Sequence, residues 1–328
     1  MRRLLLWASL IALATTSCTK MDSPEEQSQV PIAFSASIGK STKANPSAFP
    51  TSSTFGVNAY FKTQSGNYQF EDDGLYFKNL LVSNSSGVWK GNDIYYWPPT
   101  GNLKFVAYSP YNKASLGYES AKGVKLSNFT QDATASMDLM YAETGDLTTT
   151  SSPVPLIFNH ALTQLYFTIQ TAQHGFTFKI KELSLKKLYY KGEFVSKPSP
   201  VWTMVGTNDA NYTVYSGSGV LISYGKDYGD DSHGDPDDNT SYVFSTRLFV
   251  VPQEVTAVQL YIKYDLMVLN TVNLADQEKT ITLTGSPWLP NQLVEYAISI
   301  SQSNVPEITY TPTITDWTAE TEKPIAAN

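Results

Sequence analysis

A single cysteine, Cys18, stands among the 328 residues, so no disulfide can close within the chain. That excludes a disulfide-stapled scaffold and any metal site built on paired thiolates. Charge is scarce: 16% of residues are Asp, Glu, Lys or Arg, against about 25% in an average globular chain. The basic side is the poorer, with 23 Lys and Arg against 30 Asp and Glu for a formal charge of −7. This removes the basic stripe that nucleic acid requires. Only three histidines occur, His160, His174 and His233, and they lie far apart. No HExxH, no GxSxG and no phosphate-cradling glycine loop is present, so the spacings that build a zinc site or an activated nucleophile are missing. The carboxylates single out no pair for glycoside hydrolysis. These absences argue against an enzyme and imply no cofactor or metal. His160, at the end of the apolar run from Leu156, reads as a structural histidine.

What the chain does have is alternation. Ile32, Phe34, Ala36 and Ile38 alternate with smaller or polar residues, as do Phe55, Val57, Ala59 and Phe61. The same period of two recurs in Leu103-Phe105-Ala107, Val154-Leu156-Phe158, Leu165-Phe167-Ile169, Val258 to Tyr264 and Val294 to Ile300. That is the pattern of half-buried strands. Turn clusters such as Ser83 to Gly87 and Trp97 to Gly101 separate them. No long stretch holds a helical period. Many short strands and a length suited to two domains imply an all-β chain of two antiparallel sandwiches. The polar stretch Thr144 to Pro153 marks the boundary, giving an N-terminal sandwich over 30–153 and a C-terminal one over 154–317, with a polar tail over 318–328.

The start of the chain is of another kind. Met1-Arg2-Arg3 is basic, Leu4 to Ala14 is apolar, and Thr15-Thr16-Ser17 leads straight into Cys18. The apolar stretch suits a signal peptide and is too short for a transmembrane helix, which needs about 20 residues. The arrangement resembles a bacterial lipoprotein signal over 1–17, with Cys18 as the lipidated residue and 18–29 as a polar tether. Thr15 stands where such signals usually carry Leu.

Two further features have competing uses. Asp227 to Asp238 holds six Asp residues; it lacks the EF-hand spacing and its closing Glu, and reads as a solvated loop with calcium binding left open. Trp89, Tyr95, Tyr96 and Trp97 are the densest aromatic group. They suit core packing, or stacking on a sugar.

Several segments together resemble the fimbrillin family, the lipoprotein pilins and pilus-tip proteins of Bacteroidales. They are Ile32 to Ala36 with Ser41 to Ala44, Phe55 to Tyr60, Tyr96-Trp97-Pro98, Leu103 to Pro110 and Asp138 to Ala142. Leu156 to Leu162, Trp288-Leu289-Pro290 and Ile314 to Trp317 follow in the same order. The resemblance implies two transthyretin-like β-sandwich domains, export to the outer membrane on a lipid, and surface fimbriae built with other subunits. It implies assembly by strand exchange: a protease removes the first strand and the C-terminal strand of another subunit fills the groove. An adhesion ligand on a host or bacterial surface would be a further partner.

Relatives are typically cut after an Arg in the loop following the first strand, yet no Arg occurs between Arg3 and Arg247. Lys40 and Lys43 occupy that loop and are the expected cleavage sites, unless the subunit stays untrimmed as an anchor or tip. At the other end Ile308, Tyr310 and Ile314 share one alternation, with Trp317 out of register behind them. Pro306 and Pro312 suit an edge position. The segment 308–317 is therefore the expected donor strand, or else the last strand of its own domain. The competing function is a surface glycan-binding lipoprotein for sugar uptake, reading its ligand with the aromatic cluster around Trp97.

Overall fold

The structure is a computed structural model that describes residues 29–39, 47–63, 75–134, 136–225, 241–302 and 306–317. Among the described residues every regular element is a strand. The first half holds β1 (Phe34–Ile38), β2 (Ser47–Ala48), β3 (Thr54–Lys62), β4 (Leu75–Ser85) and β5 (Val88–Gly91). It continues with β6 (Asn102–Ser109), β7 (Ser115–Glu119), β8 (Gly123–Thr130), β9 (Met140–Glu143) and β10 (Val154–His160). The second half holds β11 (Thr163–Gln170), β12 (Thr177–Leu188), β13 (Lys191–Val195), β14 (Val201–Met204), β15 (Ala210–Ser223) and β16 (Tyr242–Val243). It ends with β17 (Leu248–Val250), β18 (Gln259–Val268), β19 (Thr271–Thr282), β20 (Gln292–Gln302) and β21 (Pro306–Asp316).

The first sheet runs β10-β9-β6-β3-β4-β5-β1-β2, and β1 also pairs with β10. The sheet thereby closes on itself around a core rich in aromatic rings. Phe34 meets Phe105 edge-on at 5.9 Å and 85°, and Phe49 meets Trp89 at 5.5 Å and 75°. Such edge-to-face contacts satisfy the ring quadrupoles while the rings leave water. The second body packs β15-β12-β18-β19 against β16-β11-β20-β21, with β17 on β11. Its inward residues include Phe167 stacked on Tyr296 at 5.6 Å and Phe178 beside Tyr264 at 5.9 Å. The architecture is all-β, of sandwich type, as the alternation implies. Most pairings are antiparallel, while β1–β10 and β11–β20 are parallel.

Two features depart from the sequence reading. β10 follows the expected boundary at 153/154, yet it lies in the first sheet, between β9 and β1. The polar stretch before it stays on that sheet, since Leu103 and Leu147 exchange backbone hydrogen bonds of 2.8 Å. The change of body falls instead at the fully buried pair Ala161-Leu162. A fourth sheet, β14-β13-β8-β7, draws strands from both halves, with Phe194 opposite Leu126. It covers the outer face of the first sheet, burying Tyr60, Val106 and Tyr108 with Phe129 and Trp202. β3 and β6 are covered on both faces, so Asn58 and Tyr60 are as buried as Val57 and Ala59.

Candidate functional site: the first strand and the last

The first strand is held along both of its edges. In parallel register Phe34 to Ile38 face Val154 to Phe158 of β10. On the other side Phe34 pairs with Trp89 of β5, and Ser37 and Ile38 pair with β2. The backbone before β1 is bonded too, Ile32 N–H to Tyr95 O and Trp97 N–H to Val30 O, both at 2.8 Å. After it, Gly39 N–H reaches Phe158 O at 2.7 Å. Phe34 is buried in the core, and Val30, Ile32, Ala36 and Ile38 pack partly against it. A strand so placed completes its sheet. Its removal would expose two ladder edges and the rings of Phe55 and Phe105 that Phe34 touches.

The last strand is placed in the opposite way. β21 lies at the end of its sheet and pairs with β20 alone, Ile308 opposite Ile300 and Ile314 opposite Val294. Ile308, Tyr310, Pro312 and Ile314 face the same side as the buried Ile300, Ile298, Tyr296 and Val294, because directly paired residues share a face. Only Ile308 and Tyr310 reach the core, and Ile314 is 40% exposed. Tyr310 lies 5.9 Å from the Tyr296 ring, and its hydroxyl accepts the Thr284 N–H. Pro312 carries no N–H and sits where only one neighbour strand exists, the position that tolerates it.

Trp317, the residue after β21, is buried to 4% exposure. Its ring stacks on His160 at 3.6 Å and 9°, and on Phe249 at 5.4 Å and 22°. Tyr166 and Leu293 complete the cluster, and Trp317 N–H donates to Asn291 O at 3.0 Å. His160 belongs to β10, and its Nδ1 lies 2.8 Å from Asp138 Oδ2, which fixes the ring. Tyr166 donates to Glu295 Oε2 at 2.7 Å. Burial, then the Glu295 carboxylate, pushes its hydroxyl well above the usual tyrosine range, so it stays a donor. The end of the last strand is thus seated on the strand that flanks β1. His160 is the structural histidine its sequence position implies; its stacking partner, far away in sequence, left no local signal.

The remaining expected sites divide as follows. Cys18, Lys40, Lys43, the Asp227 to Asp238 loop and His233 lie outside the described residues. Trp97 is buried to 6% exposure and stands edge-on to Phe105 at 5.7 Å. Its ring is used by the core, so Trp97 itself offers no platform for a sugar, while Tyr96 of the same cluster is 39% exposed. Among the described residues no group of three or more His, Cys, Asp and Glu could hold a metal ion.

Sequence reasoning also missed an ionic cluster where the first sheet meets the shared one. Glu143 accepts from Lys104 at 3.2 Å and from Lys197 at 2.7 Å, with its side chain 15% exposed. Burial opposes its charge, but the two ammonium groups outweigh that and hold its carboxyl below the ordinary glutamate range.

These features define a class: a two-body β-sandwich protein whose first strand closes a sheet and whose last strand is an edge. The family model described as fimbrillin-like matches residues 42–317, and the chain belongs to that family. A fimbrial protein from Bacteroides vulgatus has the same fold at 17% identity and a TM-score of 0.58, over 88% of this chain and 99% of its own. A candidate cell adhesion protein from Bacteroides uniformis is similar at 16% identity and a TM-score of 0.51, over 88% and 98%. Another from Bacteroides ovatus is similar at 14% identity and a TM-score of 0.52, over 89% and 99%. No curated protein matches the sequence.

Proposed function

We propose that this chain is a surface lipoprotein, anchored to the outer membrane through Cys18, that serves as a structural or adhesive subunit of a fimbrium. Its subunits join by strand exchange: cleavage at Lys40 or Lys43 releases β1, and 308–317 of a neighbour takes its place. The observation that carries the reading is the placement of β1, paired on both edges yet within the first few residues of the folded body. A strand added to a sheet gains a full set of backbone hydrogen bonds, while alternate side chains fill the pockets. Phe34, Ala36 and Ile38 leave such pockets, and Ile308, Tyr310 and Ile314 carry the same period. As a donor, 308–317 would first leave β20 and withdraw Trp317 from His160, so exchange competes with a seat in the same chain. Family membership and fold neighbours that include a fimbrial protein support the reading. Electron microscopy of surface material from the native cell, with mass spectrometry of the subunit N-terminus, tests it. Filaments containing chains that begin just after Lys40 or Lys43 are expected. Chains that keep β1 and occur in no filament would overturn it.

A further inference from the structure

We propose that the groove between β14 and the 287–290 turn is the docking site of residues 318–328 of the same chain. The groove has a volume of about 310 Å³, at the lower end of the range of about 300–1,000 Å³ typical of binding pockets. Pro200, Val201 and Met204 line one side, and Pro287, Leu289 and Pro290 the other. Val201 and Leu289 are 48% and 50% exposed, and Val205, next to Met204, is 49% exposed. Apolar side chains gathered together and left half in water mark a contact surface. An extended segment suits this one. β14 ends its sheet and, among the described residues, pairs with β13 alone. Val205 N–H donates to Lys191 O at 3.0 Å, so by alternation the N–H and C=O groups of Trp202 and Met204 turn to the outer edge. A strand added there would gain backbone hydrogen bonds while alternate side chains enter the groove.

The occupant follows from what lies beside the groove. Trp317 N–H donates to Asn291 O, and Asn291 N–H donates to Leu162 O, both at 3.0 Å. Trp202, which also lines the groove, donates its Nε1–H to Ala161 O at 2.6 Å. The groove and the Trp317 seat are therefore built on the same backbone, 161–162 and 289–291. Because β21 runs antiparallel to β20, the chain leaves Trp317 on the side from which 287–290 enters β20. Residues 318–328 lie outside the described residues, and their apolar part is Pro324 to Ala327. Ile325 follows Trp317 by eight residues, a reach of up to about 26 Å at about 3.3 Å per residue. Leu289 stands only two residues from Asn291, so the groove falls within that reach. Lys323 precedes the apolar part, and Glu254 lines the groove. A short tether holds such a segment at an effective concentration of about millimolar, an advantage that a second chain lacks. If the last strand leaves as a donor, it draws this segment with it, so the groove is covered before exchange and bare after it. That consequence rests on the strand-exchange reading above; the docking does not.

Disulfide trapping in the full, untrimmed chain carrying Cys18→Ser tests the docking. Ile325→Cys/Leu289→Cys should close a disulfide within one chain, read as a linked peptide pair by mass spectrometry. Its yield should exceed that of Ile325→Cys/Val272→Cys at least tenfold. Val272 is as exposed as Leu289, at 47%, but lies at the other end of β19 from the 287–290 turn. Without added cysteines, Ile325→Asp should speed hydrogen exchange in 201–205 at least fivefold with an unchanged melting temperature. Equal trapping at the two positions, a disulfide formed only between chains, or unchanged exchange in 201–205 would each overturn the docking. Trapping at Leu289 in a chain that never polymerises after trimming would uphold the docking and count against strand exchange alone.

Discussion

Replacing Trp317 by Ala should unfasten the last strand without unfolding the body beneath it. A buried aromatic side chain covers about 150–250 Å², which at about 25 cal/mol per Å² corresponds to about 4–6 kcal/mol. Truncation of buried Phe or Trp to Ala costs about 3–5 kcal/mol. The Trp317 seat lies at the end of a strand and can close partly, so a loss near about 3 kcal/mol is expected on that scale. The effect should be local. Between Trp317 and Tyr310 the core-facing positions are Pro312 and Ile314, both exposed, so the buried apolar contact that holds this stretch is that of Trp317. Hydrogen exchange read by mass spectrometry should show residues 311–316 losing protection about a hundredfold, since 1.4 kcal/mol is a factor of ten. Protection in β11 and in the middle of β20 should change far less. Unchanged protection in 311–316 would refute the seat. An equal loss across β11, β20 and β21 would refute its local character and make Trp317 an ordinary member of the core.

Two further outcomes follow from the proposed anchor and from the ionic cluster. Cys18→Ser should leave an unlipidated precursor that no longer partitions into detergent; a variant that still fractionates with the outer membrane would contradict lipidation there. Glu143→Gln should cost up to about 3 kcal/mol in chemical denaturation, because it takes from the buried Lys104 ammonium its nearer carboxylate and leaves it Asp146 at 3.9 Å. The folded-state pKa of Glu143 is depressed, so its stabilisation is present above the unfolded value, about 4.3, and is lost as pH falls through the lower folded value. The wild-type acid limb should therefore be steeper below about pH 4.3 than that of the Gln variant, and parallel limbs would refute the assignment.

The two terminal strands were legible because each faces a core on one side only. Phe34-Ala36-Ile38 and Ile308-Tyr310-Ile314 keep a clean period of two for that reason. The same reasoning falls short at β3 and β6, where the shared sheet covers the second face and buries Asn58 and Tyr60 with their neighbours. That sheet depends on Phe194 meeting Leu126 across the expected boundary, a pairing with no local trace. A polar stretch marked the boundary too early because Leu147 still bonds to Leu103 and keeps the chain on the first sheet. Of the two uses open to the aromatic group, Trp89 and Trp97 take core packing, the one that the adjoining strand pattern favours. Trp317 was visible as a residue out of register, but its partners His160 and Phe249 emerge only when the two bodies meet.

Polymerisation of the trimmed chain tests the central claim most directly. Purified protein would be cut with a lysine-specific protease under conditions limited to Lys40 and Lys43, and then resolved by SDS gel electrophoresis without heating. The account predicts a ladder of SDS-resistant multimers from the trimmed full-length chain and monomers alone from a trimmed chain that ends at Val305. Monomers from the trimmed full-length chain, or an identical ladder from the chain that lacks 306–328, would contradict it.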